Sequence, residues 1–411
     1  MRNRNIFILC ITALFVLISC GEDRTKEYEE LTKENQWIYN TMKDVYLWKD
    51  EIKTPERSQF FNAPSKFFTS LLNKNDKASF LTDSLSMDNY GMSVALMRDP
   101  IAENPSQVYG LVLFVEPNSP ADKAGIERGT WISAVNNNKL TISSDNVLLQ
   151  GDGAKLTTEY IDFDNEADKH FWVQSDTIEI GASTPYTACN ICIDSIYTVR
   201  NKNIGYILCN NFDGEDFTVK ANNILEKFLV KNVSDVIIDL RYNSGGKIAN
   251  AAKFASMIVP ANLAGTPFCT LKDKEEEIDT IYNFTEEPFN IGDRNIYFII
   301  GEETRGAAEL LVSSVKASRE MFEVFTIGAT SAGVNLMVED IISPYGFSIS
   351  PAIAFAYSSN GEILPEKGIS PDYSFNELEQ KNNIHPLGKE QEYLLYIAFY
   401  IIINGTAPAT I

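Results

Sequence analysis

The chain has 411 residues, is 44% apolar and 22% charged, and carries a formal net charge of −21 at pH 7. That length allows two or three domains with a full hydrophobic core, and the composition excludes a wholly disordered chain. The acidity, which no basic stripe offsets locally, excludes a nucleic-acid partner, because phosphate binding needs a basic surface.

The first twenty residues read as a targeting segment. Arg2 and Arg4 make a basic start, residues 6–18 are mostly apolar, and Leu17-Ile18-Ser19-Cys20 follows. The apolar stretch is too short for an ordinary membrane span. The pattern resembles a bacterial lipoprotein signal. That resemblance implies removal of residues 1–19, lipidation of Cys20, a membrane contact through the lipid, and a place in the cell envelope on the outer-membrane, periplasmic or surface face. Residues 20–34 are polar and read as a tether. Residues 35–85 read as a helical region: Trp37, Ile38, Met42, Val45, Tyr46 and Trp48 supply one apolar face over 35–52, and Phe67, Phe68, Leu71 and Leu72 another after Pro64.

Residues 86–185 are β-rich. Strands begin at Tyr90-Gly91-Met92 and Gly110–Val115, and Ser119–Gly129 (SPADKAGIERG) forms a short helix between breakers before the strand Trp131–Val135 and the turn Asn136–Asn138. This run resembles a PDZ domain, with Thr130 where that family has Asp. The resemblance implies binding of a peptide C-terminus by strand addition, with Tyr90, Gly91 and Met92 as the loop that holds the carboxylate. A PDZ-shaped spacer with a closed groove is the competing reading. Residues 162–168 (DFDNEAD) lack the central Gly and distal Glu of a calcium loop and read as a solvated turn, so no metal is expected. Cys189 and Cys192 have the spacing of a redox or metal pair. No second pair or nearby His accompanies them, and side chains three apart in a strand face opposite ways. The expectation is two small buried side chains or one incidental bridge.

Residues 186–385 alternate strands with helices, which implies a mostly parallel sheet. The apolar run Val236–Leu240 enters Arg241-Tyr242-Asn243-Ser244-Gly245-Gly246, and a helical pattern follows until Pro260 stops it. Backbone N–H groups at such a strand–turn–helix junction can hold a developing negative charge. Over residues 386–411 the apolar stretch Glu390–Ile403 reads as a helix too short to cross a bilayer and packed on the body.

The PDZ-like run is followed by Ile204–Phe212 (IGYILCNNF), Val236–Gly246 (VIIDLRYNSGG), Thr304–Glu309 (TRGAAE), Ile327–Gly333 (IGATSAG) and Gly368–Asp372 (GISPD). In that order these blocks resemble the C-terminal processing (tail-specific) serine peptidases, over roughly Asn35 to Glu379. The resemblance implies an α/β fold: a crotonase-like α/β spiral with a PDZ domain and a small helical N-terminal region. It also implies a Ser–Lys dyad, and an oxyanion hole from Gly245 or Gly246 and from Ala307. The nucleophile position is Gly306 and the base position Val334. Glycine has no side chain and valine cannot accept a proton. Replacement hydroxyls would have to come from Thr304, Ser313, Ser314 or Ser331, with Lys316 on the same helix. His170 and His385 sit in no triad-like setting, and G-x-S-x-G, H-E-x-x-H and Walker patterns are absent, so no cofactor is implied. Asp239, Arg241 and Glu309 read as structural polar contacts at the edge of the site. The expected function is that of an envelope lipoprotein of this family that binds peptides or protein C-termini without hydrolysing them. The alternatives are an active endopeptidase with an unconventional nucleophile and a non-catalytic scaffold.

Overall fold

The computed structural model describes residues 25–82, 88–102, 106–144, 148–318, 323–381 and 384–408. The signal segment and Cys20 lie outside the described residues. The chain divides into two compact units, one of the segment up to Asp83 with Asp340–Pro351, the other of Ser84–Glu339 with Ala352–Ile411.

In the first unit, helix α1 (Thr25–Val45) and helix α2 (Pro64–Leu71) enclose Ile38, Met42, Phe60, Phe67 and Phe68. The first helix starts inside the stretch expected to be a tether and stops earlier than residue 52. Its opening turns are rich in good helix formers, and they have partners. Tyr28 packs edge-on against Phe61 at 5.5 Å under the Arg57 guanidinium at 4.2 Å. Further along, the Asn35 side-chain amide donates to the carbonyls of Phe60 (2.9 Å) and Asn62 (2.7 Å). The strand Phe80–Thr82 pairs with Ser348–Ser350, which pairs in turn with Ile341–Ile342. This unit is thus completed by a hairpin from far along the chain, which a linear division at residue 85 misses.

The second unit holds a six-stranded antiparallel sheet with the main order β1 (Met92–Arg98), β2 (Val108–Val115), β3 (Trp131–Val135), β4 (Ala154–Asp164), β5 (Lys169–Ile180), and the short strand Asn138–Lys139 pairs with β3 off this path. The helical turn α3 (Pro120–Lys123) is capped by the Ser119 hydroxyl, which accepts from the Asp122 N–H at 3.2 Å. Tyr90, Val112, Ala121, Ile132 and Leu156 fill the interior. Strand β1 lies at the sheet edge. At the β4–β5 turn the Asp164 carboxylate accepts from the N–H groups of Glu166 and Ala167, so this acidic run serves turn geometry. Among the described residues no group of three or more His, Cys, Asp or Glu is placed to hold a metal ion.

A six-stranded sheet follows in the order β6 (Ile191–Val199), β7 (Lys202–Cys209), β8 (Asp235–Asp239), β9 (Asn295–Ile300), β10 (Val324–Gly328), β11 (Tyr373–Ser374). Only β6 runs antiparallel to its neighbour. Helices α4 (Phe217–Val230), α5 (Ile248–Ile258) and α6 (Ala307–Ala317) cover one face, onto which Ile207, Ile238 and Phe298 point. Helix α7 (Tyr393–Asn404) covers the other, onto which Tyr206, Ile237 and Tyr297 point. Burial on both faces is why these strands read as unbroken apolar runs. The segments 267–272, 278–283, 336–338 and 352–358 form a further antiparallel sheet.

A buried ion network joins the two larger sheets. The Arg241 guanidinium donates to Asp239 (2.8 Å) and to both oxygens of Glu392 (2.8 and 2.9 Å), while Arg128 donates to Glu377 (2.8 Å), the Tyr242 hydroxyl (2.6 Å) and the Leu113 carbonyl. Burial pushes both Asp239 and Glu392 up. At Glu392 the two guanidiniums override it and hold the carboxyl below its ordinary value, whereas Asp239 stays raised. Replacing Arg241 by Met would strand two buried carboxylates, so Arg241→Met should lower stability by about 3–5 kcal/mol in denaturant titrations. A second carboxylate gives a pH signature. Burial pushes Asp372 up, but Lys316 (2.9 Å) and the N–H and hydroxyl of Thr326 (2.8 and 3.0 Å) hold it below its ordinary value. A depressed folded-state pKa stabilises the fold above the unfolded-state value, about 3.9, and that contribution disappears as pH falls through the folded value. Asp372→Asn should therefore be less stable than the parent at pH 7, with the gap closing below about pH 4 when thermal melts are compared across pH.

Candidate functional site

The parallel strands β8, β9 and β10 end side by side, and the loops that leave them make the site. After β8 the chain turns through Asn243–Gly246 into α5. The Asn243 side chain sets this turn, donating to the Cys209 carbonyl (3.0 Å) and accepting from the Gly245 N–H (2.9 Å). The Gly245 carbonyl accepts from the Phe212 N–H at 2.8 Å. Gly246 has φ +108, and a Cβ there would lie 2.8 Å from Asp213 Oδ1 and 2.9 Å from the Phe212 nitrogen, so only glycine fits. Of the two glycines expected to offer an amide, Gly245 has already donated its own to Asn243. The Gly246 N–H has no partner among the described residues, nor does that of Ala307, the first residue of α6.

After β9, Gly301–Arg305 leads to Gly306, the residue before α6, with φ 57 and ψ −115. That conformation is strained for any residue with a Cβ. A Cβ built on Gly306 meets nothing within 4 Å. Val334, in the loop after β10, is partly exposed.

One carboxylate brings these positions together. Glu309, fully buried on α6, accepts from the N–H groups of Gly306 (3.1 Å), Gly333 (2.8 Å) and Val334 (2.9 Å) and from the Ser331 hydroxyl. Gly306 and Val334 donate to the same oxygen, so their nitrogens cannot be further apart than the sum of those two distances. Glu309 was expected only as an edge contact. It is the cross-link of the site, and its position directly after the alanine pair Ala307-Ala308 on an apolar helix was the signal available.

The substitute hydroxyls are otherwise engaged. Thr304 is fully buried, donating to the Leu240 carbonyl (2.7 Å) and accepting from the Gly301 N–H (2.9 Å). Ser331 donates to Glu309 and accepts from Ile369 N–H, and Ser314 donates to the Phe268 carbonyl (2.7 Å). The Lys316 ammonium donates to Asp372 and Thr326. His170 lies on the exposed β4–β5 hairpin beside Phe163. Asp239 and Arg241 belong to the buried network, as structural contacts.

A cavity of about 240 Å³ opens between the β1 edge and the strand ends, lined by Ser93, Ala95, Tyr242, Gly301 and Glu303 among others. The Ser93 hydroxyl donates to Glu303 at 2.9 Å across it. Of the loop expected to hold a carboxylate, Tyr90 donates its N–H to the Leu149 carbonyl (2.7 Å) and Gly91 donates to the Asn89 side chain (2.7 Å). Both amides are committed within the fold. Met92 pairs with Val115 while Glu116 N–H bonds Gly91 C=O, a register that turns the Met92 N–H towards the open edge. Sequence reasoning missed Asn210, 4% exposed just past β7, whose side-chain amide is hydrogen-bonded at neither end.

Residues 203–375 match the model of peptidase family S41, and residues 33–84 match that of the peptidase S41 N-terminal domain. A CtpA-like serine protease of Staphylococcus epidermidis is 22% identical over 63% of this chain, and the chain spans about half (49%) of that relative's length. Among solved structures, an S41 protease from Bacteroides fragilis superposes with a TM-score of 0.76 at 23% identity, over 90% of this chain and 97% of that one. The photosystem II D1 C-terminal processing protease gives 0.52 at 15% identity over 84% and 93% of the two chains, and mature CPAF gives 0.53 at 11% over 93% and 99%. The shared mixed α/β fold and the two matched regions make this chain a member of peptidase family S41, of the C-terminal processing protease type.

Proposed function

We propose that this chain binds peptides or protein C-termini and does not hydrolyse them. The observation that carries the proposal is Gly306, a residue without a side chain facing open space where the family resemblance puts the serine. Val334 at the base position points the same way. A carboxylate or peptide carbonyl has donors in the N–H groups of Gly246 and Ala307, at the start of an eleven-residue helix. We read the β1–β5 sheet as a PDZ-like module and the larger sheet with its helices as a crotonase-like spiral. In that reading an incoming strand adds to the β1 edge through Met92 and runs past the cavity at Ser93 and Glu303. From the Leu17–Cys20 sequence pattern we read the protein as held in the cell envelope by a lipid anchor.

Titration of the purified protein with a C-terminal peptide library should give saturable binding weakened by blocking the terminal carboxylate. Incubation with an unfolded polypeptide should give no cleavage. Cleavage that survives repurification and disappears on substitution of Ser313, Ser314, Thr304 or Ser331 would establish an active peptidase instead, and no binding at millimolar peptide would favour the scaffold reading.

The same geometry predicts the effect of restoring the dyad. Gly306→Ser should fold but lose about 1–3 kcal/mol, because a Cβ gains room without relieving the backbone strain. Gly306→Ser with Val334→Lys should show hydrolysis above background. A well-folded but inert double variant would count against an intact cleft.

A further inference from the structure

The Cys189–Cys192 pair sits in a geometry that its spacing alone did not foretell. In a regular strand the two thiols would point apart. Cys189 precedes β6, however, and the register with β7 shifts between Ile191 and Ile193, which makes Cys192 the extra residue of a β-bulge. The bulge re-aims the Cys192 side chain, whose thiol donates to the Cys189 carbonyl at 3.3 Å. Both are free and partly exposed, whereas Cys209 and Cys269 are free and fully buried.

We propose that Cys189 and Cys192 form a reversible disulfide that fixes the turn carrying Gly245 and Gly246. The pair is asymmetric in the way such chemistry needs. Contact with the Cys192 thiol holds Cys189 below an ordinary thiol against the opposing effect of burial, while contact with Cys189, then burial, pushes Cys192 up. The Cys189 thiolate attacks a low-molecular-weight disulfide such as oxidised glutathione, forming a mixed disulfide and expelling one glutathione thiolate. The Cys192 sulfur, losing its proton, then attacks the Cys189 sulfur and expels the second. Two glutathione thiols take up the two protons and two electrons.

A short relay connects the pair to the site. The Cys189 carbonyl accepts from the Asn211 side chain (3.3 Å), Asn190 accepts from the Asn210 N–H (2.8 Å) and donates to the Asp213 carbonyl (3.1 Å). Asn210 in turn accepts from Ser244, and Phe212 donates to Gly245. On the other side the Cys189 N–H donates to Glu116 at 3.0 Å, at the end of β2. A covalent link across residues 189–192 therefore restrains the strip against which the Gly245–Gly246 turn is built.

Incubation of the native full-length protein with oxidised glutathione, alkylation of remaining thiols and peptide mapping tests this. The expected result is a cross-linked Cys189–Cys192 peptide, reversed by dithiothreitol, with Cys209 and Cys269 still alkylatable after unfolding. Cys192→Ser should retain glutathione at Cys189, and Cys189→Ser should leave Cys192 unmodified. In the oxidised parent, amide exchange at Phe212 and Ser244 should slow by about tenfold, the scale expected for closing a four-residue loop. Cys189 and Cys192 both remaining free, or bonding other cysteines, would overturn the disulfide. Unchanged exchange in a fully cross-linked protein would overturn its link to the turn. Neither outcome depends on whether peptides bind.

Discussion

The second unit depends on a guanidinium with almost no access to water. Arg241 is 2% exposed, and the carboxylates it serves, Asp239 and Glu392, are 0% and 1% exposed. Charges so placed are tolerated only when every donor and acceptor is matched, so the segments that bring them must meet in one arrangement. Those segments are the end of β8, the start of α7 and, through Arg128 and Glu377, the loop before β3 and the chain after β11. Glu392 also caps α7, accepting the Leu395 N–H at 2.9 Å. The helix that seals one face of the parallel sheet is thereby tied to the strand that leads into the site.

The site inherits this rigidity. Leu240 and Tyr242 flank Arg241, and the Leu240 carbonyl receives the Thr304 hydroxyl that braces the loop before Gly306. Three hydroxyls near Gly306 have structural tasks: Thr304 braces a loop, Ser314 joins a helix to the Phe268 carbonyl and Ser331 meets Glu309. What survives is a set of oriented amides around an opening. Such a set holds an acceptor well.

The strands and helices of the larger sheet were legible because period and punctuation agree there: apolar runs between turn residues, with helical spacing in between. Gly306 and Val334 stand in ordered blocks that a family resemblance aligns, and the structure brings both to Glu309. Three features were out of reach for physical reasons. The helix from Thr25 owes its first turns to Phe61, Arg57 and Asn62, contacts made across a loop. The pairing of Phe80–Thr82 with Ser348–Ser350 spans most of the chain, and nothing local encodes it. The Cys192 bulge is an offset between two strands, invisible in either strand read alone.

Glu309 has an evolutionary corollary. Three of its four partners are backbone N–H groups, those of Gly306, Gly333 and Val334. A clamp that grips main chain is indifferent to the side chains at two of the three, so exchange of residues 306 and 334 leaves the frame standing. The exchange is not symmetric. Glycine relaxes the positive φ at 306 that any other residue must endure. A change to glycine at 306 therefore runs downhill in stability and a change away from it uphill, which makes this corner of the fold a ratchet.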